Sequence, residues 1–371
     1  MPFTIRVYDK NFNFKAFIGD PITLVVTPRF NETGTGTLVV EIDHHAMPAL
    51  MEDGARIVIE LRGDFLMSGK IHRREAQGPA VDGTMSIFFK DDFRLLHQIL
   101  GYPVPTASLT GQTSEYATYT GKAETILKNA VRANMVTRLG LDVTVAPDLA
   151  RGGNVPNGVA LRFHPLYEKL FPAIEQAGLG VTFKQTGNTI VCDVFDPPVF
   201  PRTLTESSGV ITTWSWASDD PTAIHVVAGG QGDGKARVFR EVADTELYVA
   251  HNDMVEVFRD ARDADTLAVL DARAYESLTE GEARSGFAVE LSETEHFQYG
   301  QDGLVVGAQV TIGIGFVTRT DILREVTLSY TRDQGLVATP LVGNVSDSPD
   351  RTIANFLARL KKGVTDLKVS K

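Results

Sequence analysis

Alternating apolar residues in the first 90 positions constrain the fold more than any other feature of this sequence. Every second residue is apolar in four successive stretches: Ile22, Leu24 and Val26; Leu38, Val40 and Ile42; Ile57, Ile59 and Leu61; Met85, Ile87 and Phe89. Because neighbouring side chains of a strand point to opposite faces, this period of two predicts strands with one buried face. Regular short strands joined by turns such as Asp53-Gly54 predict a small barrel or sandwich in residues 1–90.

The period changes to that of helices in residues 91–203. A first helix is predicted from Asp91 to Gly101, with a buried stripe made of Phe93, Leu96, Ile99 and Leu100. A second is predicted at 122–139 and a third at 165–177, which Pro172 should kink or break. A hairpin should follow at 181–192. These elements predict an α+β domain inserted into a mostly β protein.

A second mostly β segment is predicted at 204–343, after the proline-rich stretch 196–201, which has the composition of a linker. Trp214 and Trp216 are two residues apart, so both rings should lie on one face of a strand, and core packing is the default interpretation. One helix is expected at 263–280, with an inward face made of Ala264, Leu267, Ala274, Tyr275 and Leu278.

The stretch 223–242 contains four glycines between two strand-like segments. Gly229 to Lys235 matches the G-x-x-x-x-G-K part of a phosphate-binding P-loop. The residue that follows is Ala236, which lacks the hydroxyl that would ligate Mg²⁺, and the sequence after it does not read as a helix whose N-terminus could bind phosphate. A glycine-rich hairpin is therefore the prediction.

The charge and the cysteine content exclude several classes of protein. A formal net charge of −11 argues against a surface that binds duplex DNA, because such a surface needs lysine and arginine. The lone Cys192 permits no intramolecular disulfide, and in its apolar strand pattern a buried, inert thiol is expected. The N-terminus lacks an apolar core of signal-peptide length, so synthesis in a cytoplasm is expected.

Three groups of residues could carry chemistry, and each has a simpler interpretation. Asp43-His44-His45 resembles a metal triplet, but consecutive strand residues cannot all face one ion. Glu293 and Glu295, next to His296, have the spacing of paired carboxylates, yet nothing marks a cleft around them. His251-Asn252-Asp253 lacks a third ligand nearby. We therefore expect no catalytic residue, no cofactor and no metal site.

The last segment, 344–371, has its own pattern. Ser348 and Pro349 suit the start of a helix, and an apolar stripe follows, made of Ile353, Phe356, Leu357 and Leu360. Such an amphipathic helix needs a surface that covers its stripe. It could fold back on its own domain or meet a partner subunit, so these four residues are the predicted oligomerisation or docking positions.

Several motifs, taken in order, resemble one protein family. They are GQGDG at 230–234 between two strands, DDFRLLHQILGYPVP at 91–105, YTGKAETILKNAVRANM at 119–135, YGQDGLVVGAQVTI at 299–312 and VATPLVGN at 337–344. Together they resemble the tail-tip, or baseplate hub, proteins of actinobacterial siphoviruses, often called minor tail proteins, which are similar to the hub of contractile tails.

This resemblance implies a structural virion protein without enzymatic activity. It implies two small β-barrel-like hub domains (1–90 and 204–343), an inserted α+β domain (91–203) and a C-terminal helix (344–371). Three subunits would form a homotrimer whose six barrels dock on the hexameric distal tail ring. The implied partners are that ring, the C-terminus of the tape-measure protein and fibre or receptor-binding proteins, while genome DNA only passes through the lumen.

Two alternatives come from other functional classes. A cell-wall hydrolase of the tail tip would use Glu293 and Glu295 as acid and base. A carbohydrate-binding adhesin would need Trp214 and Trp216 to be exposed.

Overall fold

The computed structural model describes residues 2–79, 82–155, 158–262, 264, 266–282, 284–291, 298–315 and 317–343. The chain divides into two compact units. The first comprises Met1–Trp214 and Val289–Val342, and the second comprises Ser215–Ala288 and Gly343–Lys371. This division differs from the four segments expected from the sequence, which stay a prediction.

The N-terminal part of the first unit is an antiparallel sheet. Its strands are β1 (Phe3–Tyr8), β2 (Phe14–Ile18), β3 (Thr23–Thr27), β4 (Thr35–Glu41), β5 (Arg56–Leu61), β6 (Asp64–Gln77) and β7 (Thr84–Asp91), with the short helix α1 (Met47–Met51) between β4 and β5. The pairing order is β3-β4-β7-β6-β5-β1-β2. Alternate residues such as Leu24, Leu38, Ile57 and Ile87 are fully buried, so the period-two prediction is confirmed for this sheet.

An α+β segment follows. Its elements are α2 (Arg94–Gln98), β8 (Leu100–Gly101), β9 (Ala117–Tyr119), α3 (Ala123–Val131), β10 (Val143–Val145), β11 (Val159–Leu161), β12 (His164–Pro165), α4 (Leu166–Gln176), β13 (Gly180–Thr186) and β14 (Thr189–Phe195). A 3₁₀ turn lies at Leu109–Gly111, and α3 continues as a π-helix over Arg132–Thr137. Strands β10, β14 and β13 form a sheet in that order, and the predicted hairpin 181–192 is confirmed.

Two helix predictions in this segment are wrong in detail. The first helix ends at Gln98 because Ile99 is extended and Leu100 pairs with Pro165. Leu100 is consequently exposed, and Leu95 is buried in its place. Pro172 does not break α4, which runs through it as one helix.

The chain then forms β15 (Val199–Thr205), a 3₁₀ turn (Glu206–Ser208) and β16 (Ile211–Asp219). The proline-rich stretch expected to be a linker instead leads directly into a strand, because β15 pairs in parallel with a later strand, Val199 opposite Gln309.

The second unit contains β17 (His225–Gly229), a 3₁₀ turn (Gly234–Ala236), β18 (Phe239–Ala243), α5 (Thr245–His251), β19 (Glu256–Asp260) and α6 (Leu267–Glu280). Its sheet has the order β18-β17-β19. The glycine-rich stretch connects the antiparallel strands β17 and β18, so the hairpin prediction is confirmed.

The predicted inward face of the helix in this unit is partly wrong. Ala264 and Ala274 are buried, but Leu267 and Tyr275 are exposed. The helix begins only at Leu267, after the cap Thr266, and its buried residues are Leu270, Ala274 and Ser277. The stripe is therefore rotated toward Leu270.

The last strands are β20 (Arg284–Leu291), β21 (Gln309–Ile314), β22 (Val317–Thr331) and β23 (Gly335–Gly343), with a 3₁₀ turn at Gln301–Gly303. Strand β22 pairs with β3, Leu328 opposite Val26. Strands from the two ends of the chain therefore share one sheet. The mostly β fold is confirmed, while closed barrels stay a prediction.

Candidate partner-binding groove

A cavity of about 580 Å³ lies in the first unit. Its size is ordinary for a ligand site, which typically has about 300–1,000 Å³. Residues of β6 and β13 line it together with the segments 28–30 and 299–306, and six aromatic rings contribute to its walls: Phe30, Phe65, Phe93, Phe183, Phe195 and Tyr299. We call this cavity the groove.

Two strand edges flank the groove. Strand β13 is the last strand of its sheet. Strand β6 pairs with β7 only from Gly69 onward, opposite Asp91, and the carbonyl of Ser68 still accepts from the amide of Asp92 at 3.1 Å, so that Asp64–Met67 continues past the last bond on that side. A strand edge presents unpaired backbone N–H and C=O groups. The groove therefore lies between backbone that can still form hydrogen bonds.

Backbone directions along β13 show which groups face this side. The amide of Val181 donates to Asn31 Oδ1 at 2.9 Å, and the amide of Gln185 donates to Ser68 Oγ at 3.0 Å. Because backbone groups alternate in direction along a strand, the N–H and C=O of Phe183 point to the same side. Among the described residues, Phe183 forms no hydrogen bond there.

One end of the groove is fixed by a buried network of charged and polar groups. Arg56 Nη2 lies 2.5 Å from Asp92 Oδ2, and Arg56 Nε donates to Gln185 Oε1 at 2.9 Å. Ser68 Oγ donates to Asp92 Oδ2 at 2.9 Å. Burial raises the pKa of Asp92, while the charge of Arg56 and these hydrogen bonds favour its ionised form. The network ties β5 and β6 to β13.

The other end is fixed by one side chain. Asn31 is buried, and its Nδ2 donates to the carbonyl of Leu179 at 2.8 Å while its Oδ1 accepts from Val181. Its φ of 54° lies in the left-handed region, which asparagine tolerates better than most residues. Because the side-chain Nδ2 and Oδ1 of Asn31 are both bonded to backbone groups at the start of β13, Asn31 holds β13 in register with the loop after β3.

Asp91 places an acid in the wall of the groove. Burial raises its pKa to about 8, against the opposing effect of the Gly34 and Phe93 amides. Its Oδ1 is buried and has no hydrogen-bond partner among the described residues. A Cβ at position 34 would lie 2.7 Å from Asp91 Oδ2, so the close approach here requires glycine.

A second buried network stabilises the α+β segment. The ammonium group of Lys128, fully buried, lies 2.7 Å from Glu124 Oε1 and 2.7 Å from Asp193 Oδ1, and it also donates to the carbonyl of Pro147 at 2.8 Å. Arg151 contributes its amide to Glu124 Oε2 at 2.7 Å. Every donor of Lys128 is thus used, which makes this network structural.

The predicted metal and nucleophile candidates do not converge on a site. His44 Nε2 contacts Asp20 at 3.0 Å, whereas His45 Nε2 contacts the carbonyl of Phe17 at 2.9 Å, so the two rings serve different partners. The described part of the chain contains no group of three His, Cys, Asp or Glu placed to hold a metal ion. Burial raises the pKa of Cys192 to about 12, which suits an inert thiol.

The remaining candidate residues from the sequence lie partly or wholly outside the described residues. Trp214 is half-buried, and its Nε1 donates to Glu206 Oε1 at 2.6 Å, while the side chain of Trp216 lies outside the described residues. Glu293, Glu295 and His296 lie outside them too. So do the predicted docking residues Ile353, Phe356, Leu357 and Leu360.

The sequence gives no direct signal for the groove. Its two ends depend on Asn31 and Ser68, polar residues that the strand pattern leaves unremarkable, and on partners more than 100 positions away.

No helix within the described ranges is both long and apolar enough to cross a membrane.

Comparison with known proteins decides the family. Residues 4–344 match the sequence model of the family described as Siphovirus ReqiPepy6 Gp37-like protein. The chain belongs to this family. The resemblance to siphovirus proteins inferred from the motifs is therefore confirmed. None of the curated proteins matches the sequence.

Solved structures show that this Gp37-like chain has the fold of phage tail proteins. It is similar to a tail protein from Neisseria meningitidis MC58, with a TM-score of 0.57, 14% identity and coverage of 93% of this chain and 97% of the other. It is similar to the 43 kDa tail protein of prophage MuSo2 from Shewanella oneidensis, with a TM-score of 0.58, 12% identity and coverage of 91% and 97%.

A third similar structure is the prophage tail protein gp18 from Listeria monocytogenes EGD-e, with a TM-score of 0.53 and 12% identity, covering 98% of this chain and 99% of the other. Nearly the whole length of each chain is covered, so the Gp37-like protein has the overall fold of these tail proteins.

Proposed function

We propose that this protein is a structural component of the phage tail tip, where it forms a homotrimeric baseplate hub. The hub joins the hexameric distal tail ring to the central fibre or receptor-binding apparatus and surrounds the channel through which DNA leaves. The chain would be made in the host cytoplasm and then assembled into the virion.

The observation that carries this proposal is the shared fold. The similarity to tail proteins extends over 93% of this chain and 97% of the Neisseria protein. A fold alone does not set a function, but the siphovirus family match over residues 4–344 points to the same kind of particle.

The interior of the first unit suits a structural role. Two of its charged clusters are satisfied internally: Arg56 pairs with Asp92, and Lys128 pairs with Glu124 and Asp193. Catalytic groups instead need a substrate-accessible position and a matched pKa. The proposal is therefore that the protein is not an enzyme and requires no cofactor.

The trimer would place two mostly β domains of each subunit around the axis. Residues 1–90 and 204–343 are the proposed hub domains, 91–203 the inserted domain and 344–371 the helical tail. Six similar domains in a ring give the hub an approximate sixfold symmetry, which matches that of a hexameric neighbour. A single chain has no such symmetry. The tape-measure C-terminus would then lie in the lumen.

The net charge of −11 suits a channel that DNA must traverse without adhering. If part of this charge lines the lumen, it repels the phosphate backbone and lets the genome slide. A lumen rimmed by lysine and arginine in a trimer structure would contradict this part of the proposal.

Light scattering on the purified chain tests the trimer directly. Three chains of 40.4 kDa give a particle of about 121 kDa, which is the expected mass. A stable monomer at all concentrations, in the presence of the distal tail ring as well, would contradict the hub arrangement. A zymogram on host cell walls tests the hydrolase alternative, since cleavage that Glu295→Gln abolishes would favour an enzyme.

A further inference from the structure

The three-stranded sheet of the second unit has two unlike faces. Helix α6 covers one of them, where its residues Leu270 and Ala274 pack with Val226 and Ala228 of β17. Because side chains alternate between the two faces of a strand, the residues between these belong to the opposite face. We call this opposite face the open face, and it is defined by six residues: His225, Val227, Phe239, Glu241, Glu256 and Phe258.

Apolar side chains occupy the centre of the open face. Phe258 lies opposite Val227 in the register of β19 and β17, and Phe239 lies opposite Gly229 in that of β18 and β17. Both rings are exposed, Phe239 by 52% and Phe258 by 56%. A sheet face of this kind is normally buried against a second layer, and α6 supplies such a layer on the other side. The open face therefore has the surface to bind one more element.

One end of the open face is anionic. The ring of His225 lies there between two carboxylates, with Nδ1 2.8 Å from Glu256 Oε1 and Nε2 3.4 Å from Glu241 Oε2. Both glutamates are largely exposed. The bond to Glu256 raises the pKa of His225, but a protonated imidazole offsets only one of the two negative charges. We call this the anionic end.

The other end of the open face carries more positive charge. Arg237 Nη2 lies 2.5 Å from Asp260 Oδ1, and Arg262 Nε lies 3.7 Å from the same oxygen. The guanidinium group of Arg237 also lies 5.6 Å from the centroid of the Phe239 ring and 5.4 Å from that of Phe258. Two cations share one carboxylate here, so this end favours an acidic group.

We infer that the C-terminal segment 344–371 of the same chain docks on the open face as a helix. The sequence predicts an amphipathic helix in this segment, and the unit that carries the open face also comprises Gly343–Lys371. The apolar stripe of the helix would cover the two exposed rings. The inference does not depend on the proposed function, because the open face and the segment belong to one chain.

The charges of the segment match those of the open face. Its six lysines and arginines outnumber its three aspartates, although the whole chain has a net charge of −11. Asp350 and Arg351 balance each other at the N-terminal end of the predicted helix, whereas Arg359, Lys361 and Lys362 cluster at its C-terminal end. Complementary charge fixes the orientation of a contact. The basic end of the helix should therefore lie over the anionic end, and Asp350 near the arginines.

The dimensions of the two surfaces agree. Four residue steps from His225 to Gly229 extend over about 13 Å, and seven helical steps from Ile353 to Leu360 extend over about 10 Å. Three strands are together about as wide as one helix, roughly 10 Å. Because the segment is tethered, its effective concentration is about millimolar. Weak docking is then sufficient, and it adds little to the free energy of unfolding.

Disulfide trapping in the full chain tests the inference. Val227→Cys lies at the centre of the open face, and Leu357→Cys lies at the centre of the apolar stripe. The natural Cys192 is fully buried and should not compete. The matched control combines Leu357→Cys with Val269→Cys on α6, where the valine is exposed by 38%. Under mild oxidation the 227–357 bond should form within one chain, at least about tenfold faster than the 269–357 bond.

Two results would overturn the inference. Equal rates for the two pairs, or no bond from either, would mean that the segment does not prefer the open face. A 227–357 bond that joins two chains, seen as a doubled mass on a non-reducing gel, would mean that a second copy supplies the segment. If Val227→Cys does not fold, the exposed Ala243→Cys opposite His225 replaces it, paired with Leu360→Cys and controlled by the exposed Ala272→Cys on α6.

Neutralisation of the anionic end supplies a second test. Glu241→Gln with Glu256→Gln removes two exposed charges from the open face, whereas Glu246→Gln with Glu282→Gln removes two exposed charges outside the three strands. At low salt, trypsin should cleave after Arg359 about two- to threefold faster in the first variant than in the natural chain, since exposed ion pairs contribute modestly. The control variant should match the natural chain. Equal cleavage in all three chains would overturn docking at the anionic end.

Discussion

The α+β segment of the first unit and the small second unit are built from similar elements but have different interiors. The segment buries large side chains, among them Leu127, Leu170 and Phe171. Among the described residues, the core cluster of the second unit is mostly alanine, and Leu270 is its largest side chain. Its larger apolar residues lie outside, with Tyr275 exposed by 60%.

The charged groups differ in the same way. Lys128 and Glu124 of the α+β segment are fully buried and paired. In the second unit Arg240 pairs with Asp271 near the surface, with 46% and 35% of their side chains exposed. The α+β segment is stabilised by buried charged groups that pair with one another. The second unit exposes large apolar side chains, and in folded proteins an exposed apolar patch usually marks an interaction site.

The strongest way to break this comparison is to remove Lys128. Lys128→Met leaves Glu124 buried without its main cation, and breaking a buried pair costs about 3–5 kcal/mol. We expect the free energy of unfolding of the first unit to fall by that amount, measured by urea denaturation.

Arg240→Met is the matched control in the second unit. It removes an exposed arginine from an ion pair, so the denaturation midpoint should not change. If both substitutions destabilised the protein equally, the contrast between the two interiors would be wrong.

A pH series sharpens the comparison at Asp91. The pKa of the Asp91 carboxyl in the folded state is about 8, well above the ordinary value of about 4. Between about pH 4 and pH 8 the folded state therefore keeps a proton that the unfolded state has already lost. Stability of the first unit should therefore fall as pH rises through this window, by up to about 1.4 kcal/mol per pH unit.

Asp91→Asn cannot ionise and isolates this effect. The stability difference between the variant and the natural chain, followed by urea denaturation at each pH, should grow in favour of the variant up to about pH 8. A difference that is constant with pH would mean that Asp91 is ionised throughout.

Removal of the Asn31 amide should have a smaller effect. Asn31→Ala leaves the buried Val181 amide and Leu179 carbonyl without partners, and an unsatisfied buried group costs about 1–3 kcal/mol. Thermal unfolding should show a lower midpoint for the first unit, together with faster amide exchange at Val181. Unchanged exchange at Val181 would contradict the role of Asn31 at this end of the groove.

The smallest change is expected in the second unit. Phe258 is exposed by 56%, so Phe258→Ser should alter stability by no more than about 0.5 kcal/mol. The matched substitution Phe171→Ala, in the buried core of the α+β segment, should cost about 3–5 kcal/mol. Comparable losses in calorimetry would show that the second unit depends on its outer apolar residues.

Local patterns in the sequence were sufficient for the elements whose information is local. The alternation at Leu24 and Val26 identifies a strand, and Gly187-Asn188 between two apolar runs identifies a hairpin. The apolar face of α3, from Ala123 to Val131, is buried as its helical spacing predicts. Each of these depends on neighbours a few positions away.

Residues whose partners are distant could not be predicted in this way. Asp92 lies at the start of the first predicted helix, but it is buried against Arg56, 36 positions earlier. Lys128 is on a helix that reads as amphipathic, and only the folded chain brings Asp193 to it. Tyr275 was expected inside, but the buried face of this helix contains Leu270, Ala274 and Ser277, and Tyr275 lies on the exposed side.

A cryo-electron microscopy map of the tail of the phage that encodes this chain tests the central claim most directly. The account predicts three copies around the tail axis at the tip, next to the distal tail ring. A particle that assembles and infects without this chain at its tip would contradict the account.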